Sequence, residues 1–235
     1  MWGFVDCSRY YFSFGVPKVV LHDASLVVET HEKLGLLVPP GAGKTTIIRM
    51  LAGVDQPNSG QVLRDDGGVP LGYGGAFQAE LTGEENIRNV GAIAGVDPLT
   101  YSAFCADFAD VGEAYFHPLK TWTRGMRGRL VFAASLGLPA STYLADDKVA
   151  GGDRPFFGKC MAALRERLKT TGLILVASNP RATGEICERH AVVIRGKIIA
   201  CSSHKEAADL FALNFEEEQA AGEIAEEELA SFDLA

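Results

Sequence analysis

Apolar residues along this chain gather in strand-length runs toward its two ends and in helix-spaced groups between them. Residues 34–38, LGLLV, form a continuous apolar run of strand length, and residues 45–53, TTIIRMLAG, read as a helix closed by glycine. Further β-type runs at residues 19–21, 25–28 and 61–64 predict a sheet built within the first seventy residues. From Thr82 the pattern turns helical. Thr82 followed by Glu85 has the form of a capping box, and Asp97-Pro98 is a cap with proline at the first helical position. Residues 82–137 therefore predict a helical insertion. Strand and helix then alternate: a strand at 143–145, a helix at 156–170, a strand at 173–177, and two strands, 191–194 and 197–199, joined by an Arg195-Gly196 turn. The pattern predicts an α/β domain with a β subdomain and a helical subdomain, and no internal repeat is visible.

The junction between the 34–38 strand and the helix that follows carries the strongest chemical signal. Pro40, Gly41, Ala42, Gly43, Lys44, Thr45 and Thr46 form the end of a phosphate-binding loop, placed between strand and helix as such a loop requires. Main-chain N–H groups of the loop and the first helical turn face the phosphates and the helix dipole adds to the attraction. Lys44 reaches the outer phosphates and the Thr45 hydroxyl ligates magnesium. The expected ligand is ATP with Mg2+. The full pattern opens with glycine, where this chain has Val38. A β-branched residue tolerates fewer backbone angles at the start of a tight turn, so weakened binding is expected. Pro39 and Pro40 remove two amide donors but stiffen the loop.

Composition narrows the classes. A chain of 235 residues, 47% of them hydrophobic, can bury one sizeable core. The formal charge of −8 equals the eight acidic and no basic residues of the last twenty positions, so the rest is neutral. A neutral body with an acidic end has no basic footprint for nucleic acid and argues against direct DNA or RNA binding. The five cysteines, Cys7, Cys105, Cys160, Cys187 and Cys201, lack paired spacing and read as reduced structural thiols. The longest uncharged run, 130–145, falls short of the roughly 20 residues that span a bilayer and contains Pro139. With no signal-peptide pattern at the start, the expected location is the cytosol or its membrane face, without membrane insertion.

Several later stretches follow the phosphate loop in a fixed order: AFQAELTGEEN (76–86), KTWTRGMRGRLVFAASL (120–136), YLADD (143–147) and VASNPRATGEICERHAVVIRGKI (176–198). Together they resemble the P-loop ATPases of ATP-binding cassette (ABC) transporters, most closely the branch that exports capsular polysaccharide or O-antigen, over roughly residues 5–210. The resemblance implies an ABC-type ATPase domain over 1–213, with its helical subdomain at about 82–137, and an acidic tail over 214–235. It implies Tyr11 as the aromatic residue that stacks on adenine, with Tyr10 as the alternative. Trp122, Thr123, Arg124, Gly125 and Met126 occupy the signature, which opens a helix facing the ATP of the opposite subunit and so implies a homodimer. Arg124 stands where a small residue is usual, and either pairs with phosphate or obstructs it.

Asp146 resembles the carboxylate of the magnesium shell. Asp147 stands where the family has a glutamate that polarises water. It is one methylene shorter, and misplacement by roughly 1 Å can cost about 10²-fold in rate. Ser178 stands where the family has a switch histidine; it donates a hydrogen bond but carries no charge. Slow turnover is expected. Gln78 is a candidate magnesium-sensing glutamine, although aligning on Leu81-Thr82 puts Tyr73 at that position instead. Asp153 reads either as a link between the two composite sites or as a loop cap. His190 is expected at the surface or in packing on or after a helix, and the other four histidines in solvent. The implied function is the ATP-binding subunit of a polysaccharide exporter, acting with integral membrane permeases at the cytoplasmic face of the inner membrane, with contacts around residues 73–90. The capsule type is favoured because O-antigen ATPases often carry an added carbohydrate-binding domain. The competing reading is a degenerate, hydrolysis-poor ATP-binding scaffold; a P-loop kinase would leave the signature without a role.

Overall fold

The computed structural model describes residues 1–13, 16–147 and 149–215, so most of the expected acidic tail lies outside the described residues. Strands β1 (Trp2–Ser13), β2 (Val16–Val28) and β4 (Ser59–Leu63) form an antiparallel sheet in the order β2-β1-β4. The second sheet runs β5 (Gly68–Pro70), β6 (Thr142–Asp146), β7 (Gly172–Ala177), β3 (Lys33–Leu37), β8 (Arg189–Ile194), β9 (Lys197–Cys201). All of its neighbours pair in parallel except β8 with β9, which meet across the predicted Arg195-Gly196 turn. Parallel strands are covered on both faces, which is why β3, β6 and β7 read as unbroken apolar runs rather than alternating ones.

Register decides where the chemistry falls. Leu37 pairs with Ala177 and Asp146 with Val176, so β3, β6 and β7 end at one edge of the sheet. The loops that leave them start side by side. On one face, helix α1 (Lys44–Leu51) buries Ile47, Ile48, Met50 and Leu51 in a cluster with Leu36, Leu144 and Val176. On the other, Leu130, Phe132, Ala133 and Leu136 of α4 (Arg124–Gly137) pack in a cluster with Tyr143, Leu173 and Leu175. At the centre of β3, Gly35 admits α6 (Pro180–Gly184): a Cβ there would lie 2.6 Å from the Thr183 Cβ.

The predicted helical stretch is built as its caps specify. Thr82 and Glu85 form a reciprocal capping box on α2 (Gly83–Ile93), with bonds of 3.1 and 2.8 Å. Asp97 accepts from the Thr100 N–H at 2.8 Å to start α3 (Pro98–Ala109), with Pro98 in its first turn. Short 3₁₀ turns at Gly112–Phe116 and Leu119–Thr121 lead to α4. The later predicted helix is α5 (Phe157–Arg167). No helix among the described residues is long and apolar enough to cross a membrane.

Three expectations differ from the structure. The two short runs at 19–21 and 25–28 are parts of the single strand β2. It pairs with the unpredicted β1 through bulges at Asp6 of β1 and Asp23 of β2, which take positive φ of 48° and 41°. Helical residues 204–215 bury Ala207, Phe211 and Asn214. His190 sits in β8 rather than on or after a helix, and is buried with its ring 5.1 Å from that of His204. His204 is not simply solvated, since its Nε2 donates to the Pro180 carbonyl at 2.8 Å.

Burial, together with nearby His204, holds the His190 imidazole below its ordinary value. The unfolded chain therefore takes up a proton first as pH falls through about 6.5, and stability drops until the folded imidazole itself protonates. Urea midpoints measured between about pH 7 and 5 should fall for the natural chain and fall less for His190→Gln.

Candidate nucleotide site

Val38 directly follows β3. It is buried, its N–H donates to the Ala177 carbonyl at 2.9 Å, and its φ is not among the positive ones. The backbone here does not need glycine, so the weakening expected from Val38 has no conformational basis. The turn follows, with the Ala42 N–H on the Pro39 carbonyl at 3.1 Å. Gly41 has φ 80°, with open space where a Cβ would stand. Gly43 has φ 101°, and a Cβ on it would meet the Val20 methyls at 2.6 and 2.8 Å. Gly43 is also the N-cap of α1, with no capping side chain and no acidic residue in the first turn. That leaves the end of a helix dipole and its amides facing a concave loop, a fit for phosphate.

The oxygen donors gather beside it. The Thr45 hydroxyl donates to Asp146 Oδ2 at 2.7 Å, a hydroxyl and a carboxylate suited to a hard divalent cation whose other ligands are phosphate and water. Lys44 Nζ stands 3.4 Å from Asp147 Oδ2. Asp147 Oδ1 accepts from the Ser178 N–H at 2.7 Å and from its hydroxyl at 3.1 Å. Ser178 is thus joined to the acid, an arrangement invisible in the sequence. Tyr11 reaches the same loop, its hydroxyl 3.4 Å from Thr46 Oγ1 and one ring face beneath the Arg9 guanidinium at 4.3 Å. Tyr10 instead meets Phe12 edge-on.

The signature stands at the start of α4, with Trp122 buried in the core and Met126 packed against it. Thr123 is its N-cap, with Oγ1 accepting from the Met126 N–H at 3.2 Å, so that oxygen has a structural task. Arg124 and Gly125 line a cavity of about 1030 Å³ that also contains Thr45, Tyr73, Asp146 and Asp153. Gln78 does not line it. Buried Asn86 accepts from the Gln78 N–H at 2.7 Å, and its side-chain amide donates to the carbonyls of Gln78, Leu81 and Thr82, tying this turn to α2. The structure therefore does not bring Gln78 to Thr45 and Asp146; Tyr73, the alternative from the Leu81-Thr82 alignment, is the residue at the cavity. Asn86 closes the LTGEEN stretch, and nothing in the sequence alone marks the bonds it sends back to this turn.

Asp153 is held by α4. Its carboxylate receives Arg129 Nη2 at 2.7 Å and Nε at 3.1 Å, and this bond to Arg129 keeps its carboxyl below the usual range. Its side chain does not cap the 3₁₀ turn Arg154–Phe156 that follows. Glycines make the approach of loop and helix possible: a Cβ on Gly151 would lie 2.5 Å from the Gly128 carbonyl oxygen, and one on Gly128 2.7 Å from the Gly152 nitrogen.

A phosphate loop and a hydroxyl–carboxylate pair at one sheet edge, with a signature helix opening on the same cavity, define a P-loop nucleotide-binding cassette. Residues 21–93 match the ABC transporter family. The chain is 38% identical over 190 residues to the capsule polysaccharide export ATP-binding protein CtrD of Neisseria meningitidis serogroup B, covering 80% of this chain and 88% of that protein. It is 37% identical over 191 residues to the ATP-binding protein BexA of Haemophilus influenzae, covering 81% and 88%. Against the polysialic acid transport ATP-binding protein KpsT of Escherichia coli, identity is 32% over 183 residues, covering 77% and 81%. The dimeric structure of the ATP-binding cassette MJ0796 bound to ADP and Pi shares the fold, with a TM-score of 0.68 at 20% identity over 84% of this chain and 96% of that one. The chain belongs to the ABC transporter ATP-binding family, alongside the capsule polysaccharide export ATP-binding proteins.

The glycine contact between α4 and the 151–153 loop gives a direct test. Gly151→Ala should lower unfolding free energy by about 1–3 kcal/mol through overpacking. Gly158→Ala, in open space on α5, should raise it by about 0.5–1 kcal/mol. Urea denaturation of both variants reads the difference.

Proposed function

We propose that this chain is the ATP-binding subunit of an exporter of polysaccharide, of the capsule type, working as a homodimer with integral membrane permeases at the cytoplasmic face of the inner membrane. The observation that carries this reading is the Thr45–Asp146 contact of 2.7 Å beside an uncapped phosphate loop, in a chain 38% identical to a capsule polysaccharide export ATP-binding protein. In this reading Lys44 and the first-turn amides of α1 bind the phosphates, and Tyr11 stacks on the base. Thr45 and Asp146 hold Mg2+, which when bound neutralises phosphate charge. Asp147 orients the attacking water. Nucleotide binding closes the dimer, and hydrolysis reopens it.

One observation favours the second reading, an ATP-binding scaffold. Asp147 Oδ2 stands 3.4 Å from Lys44 Nζ, and this ion pair must open before the carboxylate orients water. Steady-state phosphate release from the purified chain with Mg·ATP separates the two, with Lys44→Ala as the blank. Release above the blank, falling about 10²-fold in Asp147→Asn, is the expected result. Bound ATP with release equal to the blank would support the scaffold.

A further inference from the structure

The Ser178–Asp147 contact has a geometry that fits neither a lost base nor a lost switch taken alone. The Asp147 N–H donates to the Val176 carbonyl at 2.8 Å, which fixes its backbone to β7 two residues before Ser178. Asp147 then takes φ 58°, a left-handed conformation that aspartate tolerates better than most side chains. From there Oδ1 meets the Ser178 N–H at 2.7 Å and its hydroxyl at 3.1 Å, while Oδ2 lies 3.4 Å from both that hydroxyl and Lys44 Nζ. A serine with one carbon before its hydroxyl and an aspartate with one methylene before its carboxylate meet across adjacent strand ends. A glutamate at 147 would carry its carboxylate roughly 1 Å further, past the serine hydroxyl. A histidine at 178 has no oxygen-tipped single-carbon arm to meet an aspartate there.

We infer that Ser178 is a positioning residue for Asp147: its N–H and hydroxyl set the carboxylate of the shorter acid, so that aspartate and serine are a matched pair rather than two separate impairments. This rests on reading the site as one that hydrolyses ATP. Loss of the hydroxyl removes one hydrogen bond to a charged acceptor, and Ser178→Ala should lower kcat about tenfold. KM for ATP should stay within about twofold, because Ser178 is not placed on the nucleotide. Ser178→Thr, which keeps the hydroxyl, should regain most of the rate. Asp147→Glu should be slower than the natural chain, and adding Ser178→Ala to it should change little, since the pair is already broken.

Natural turnover in Ser178→Ala, a faster Asp147→Glu, or a Ser178→Thr no better than alanine would overturn the pairing. A second measurement does not depend on turnover. In nucleotide-free protein, Asp147→Ala should speed hydrogen exchange of the Ser178 amide about tenfold while the Leu175 amide within β7 keeps its rate. Unchanged Ser178 exchange would sink the inference. Phosphate release equal to the Lys44→Ala blank would instead count against the hydrolytic reading, leaving the exchange result to judge the pair.

Discussion

Parallel pairing of β3, β6 and β7 is the constraint on which the rest of the molecule depends. Because Leu37 stands opposite Ala177 and Asp146 opposite Val176, three loops distant in sequence leave the sheet at one edge. A slip of one residue in β6 would turn Asp146 to the opposite face and part it from Thr45. Such a slip is costly, because Tyr143, Leu144 and Ala145 are buried in packed clusters on the two faces and would have to exchange sides, with their different volumes. The core thus does more than stabilise: it holds Lys44, Asp146, Asp147 and Ser178 at hydrogen-bonding range.

Much of this was legible in the sequence. The phosphate loop and its flanking strand and helix, the caps at Thr82 and Asp97, and the strand endings at Asp146 and Ala177 follow from local rules of spacing and capping, and local rules survive folding. What stayed hidden is long-range. Strand β1 is hidden because a bulge at Asp6 breaks its alternation, as one at Asp23 divides β2, and β5 because three residues carry no period. Gln78 and Tyr73 compete for one place in the sequence; Asn86, reaching back from α2, decides which faces the cavity. Ser178 reads as a deficit in one dimension, and only the strand register shows that its hydroxyl has an acceptor.

Attachment of the helical stretch to the sheet side is unusually direct at one point. Gly128 of α4 lies against Gly151 and Gly152 at backbone contact, and one residue further on the Arg129 guanidinium grips Asp153. The same guanidinium lies over the Phe156 ring at 4.8 Å, so its charge holds the loop through both a carboxylate and an aromatic face. Position and orientation of the first turn of α4, where Arg124 and Gly125 face the cavity, are therefore set from behind by the same loop that follows Asp147.

Gly35 sits in the middle of the central strand, where Thr183 of α6 rests in the space a side chain would fill. From Thr183 the chain runs back through Pro180, whose ring fixes one backbone angle, and Asn179, whose side chain accepts from the Arg181 N–H, to Ser178. That stretch has few free rotations. The missing methyl at Gly35 therefore lets the segment that leaves Ser178 fold straight back onto the core strand, so that the chain on both sides of the serine is anchored in the interior, by β7 before it and by Thr183 after it.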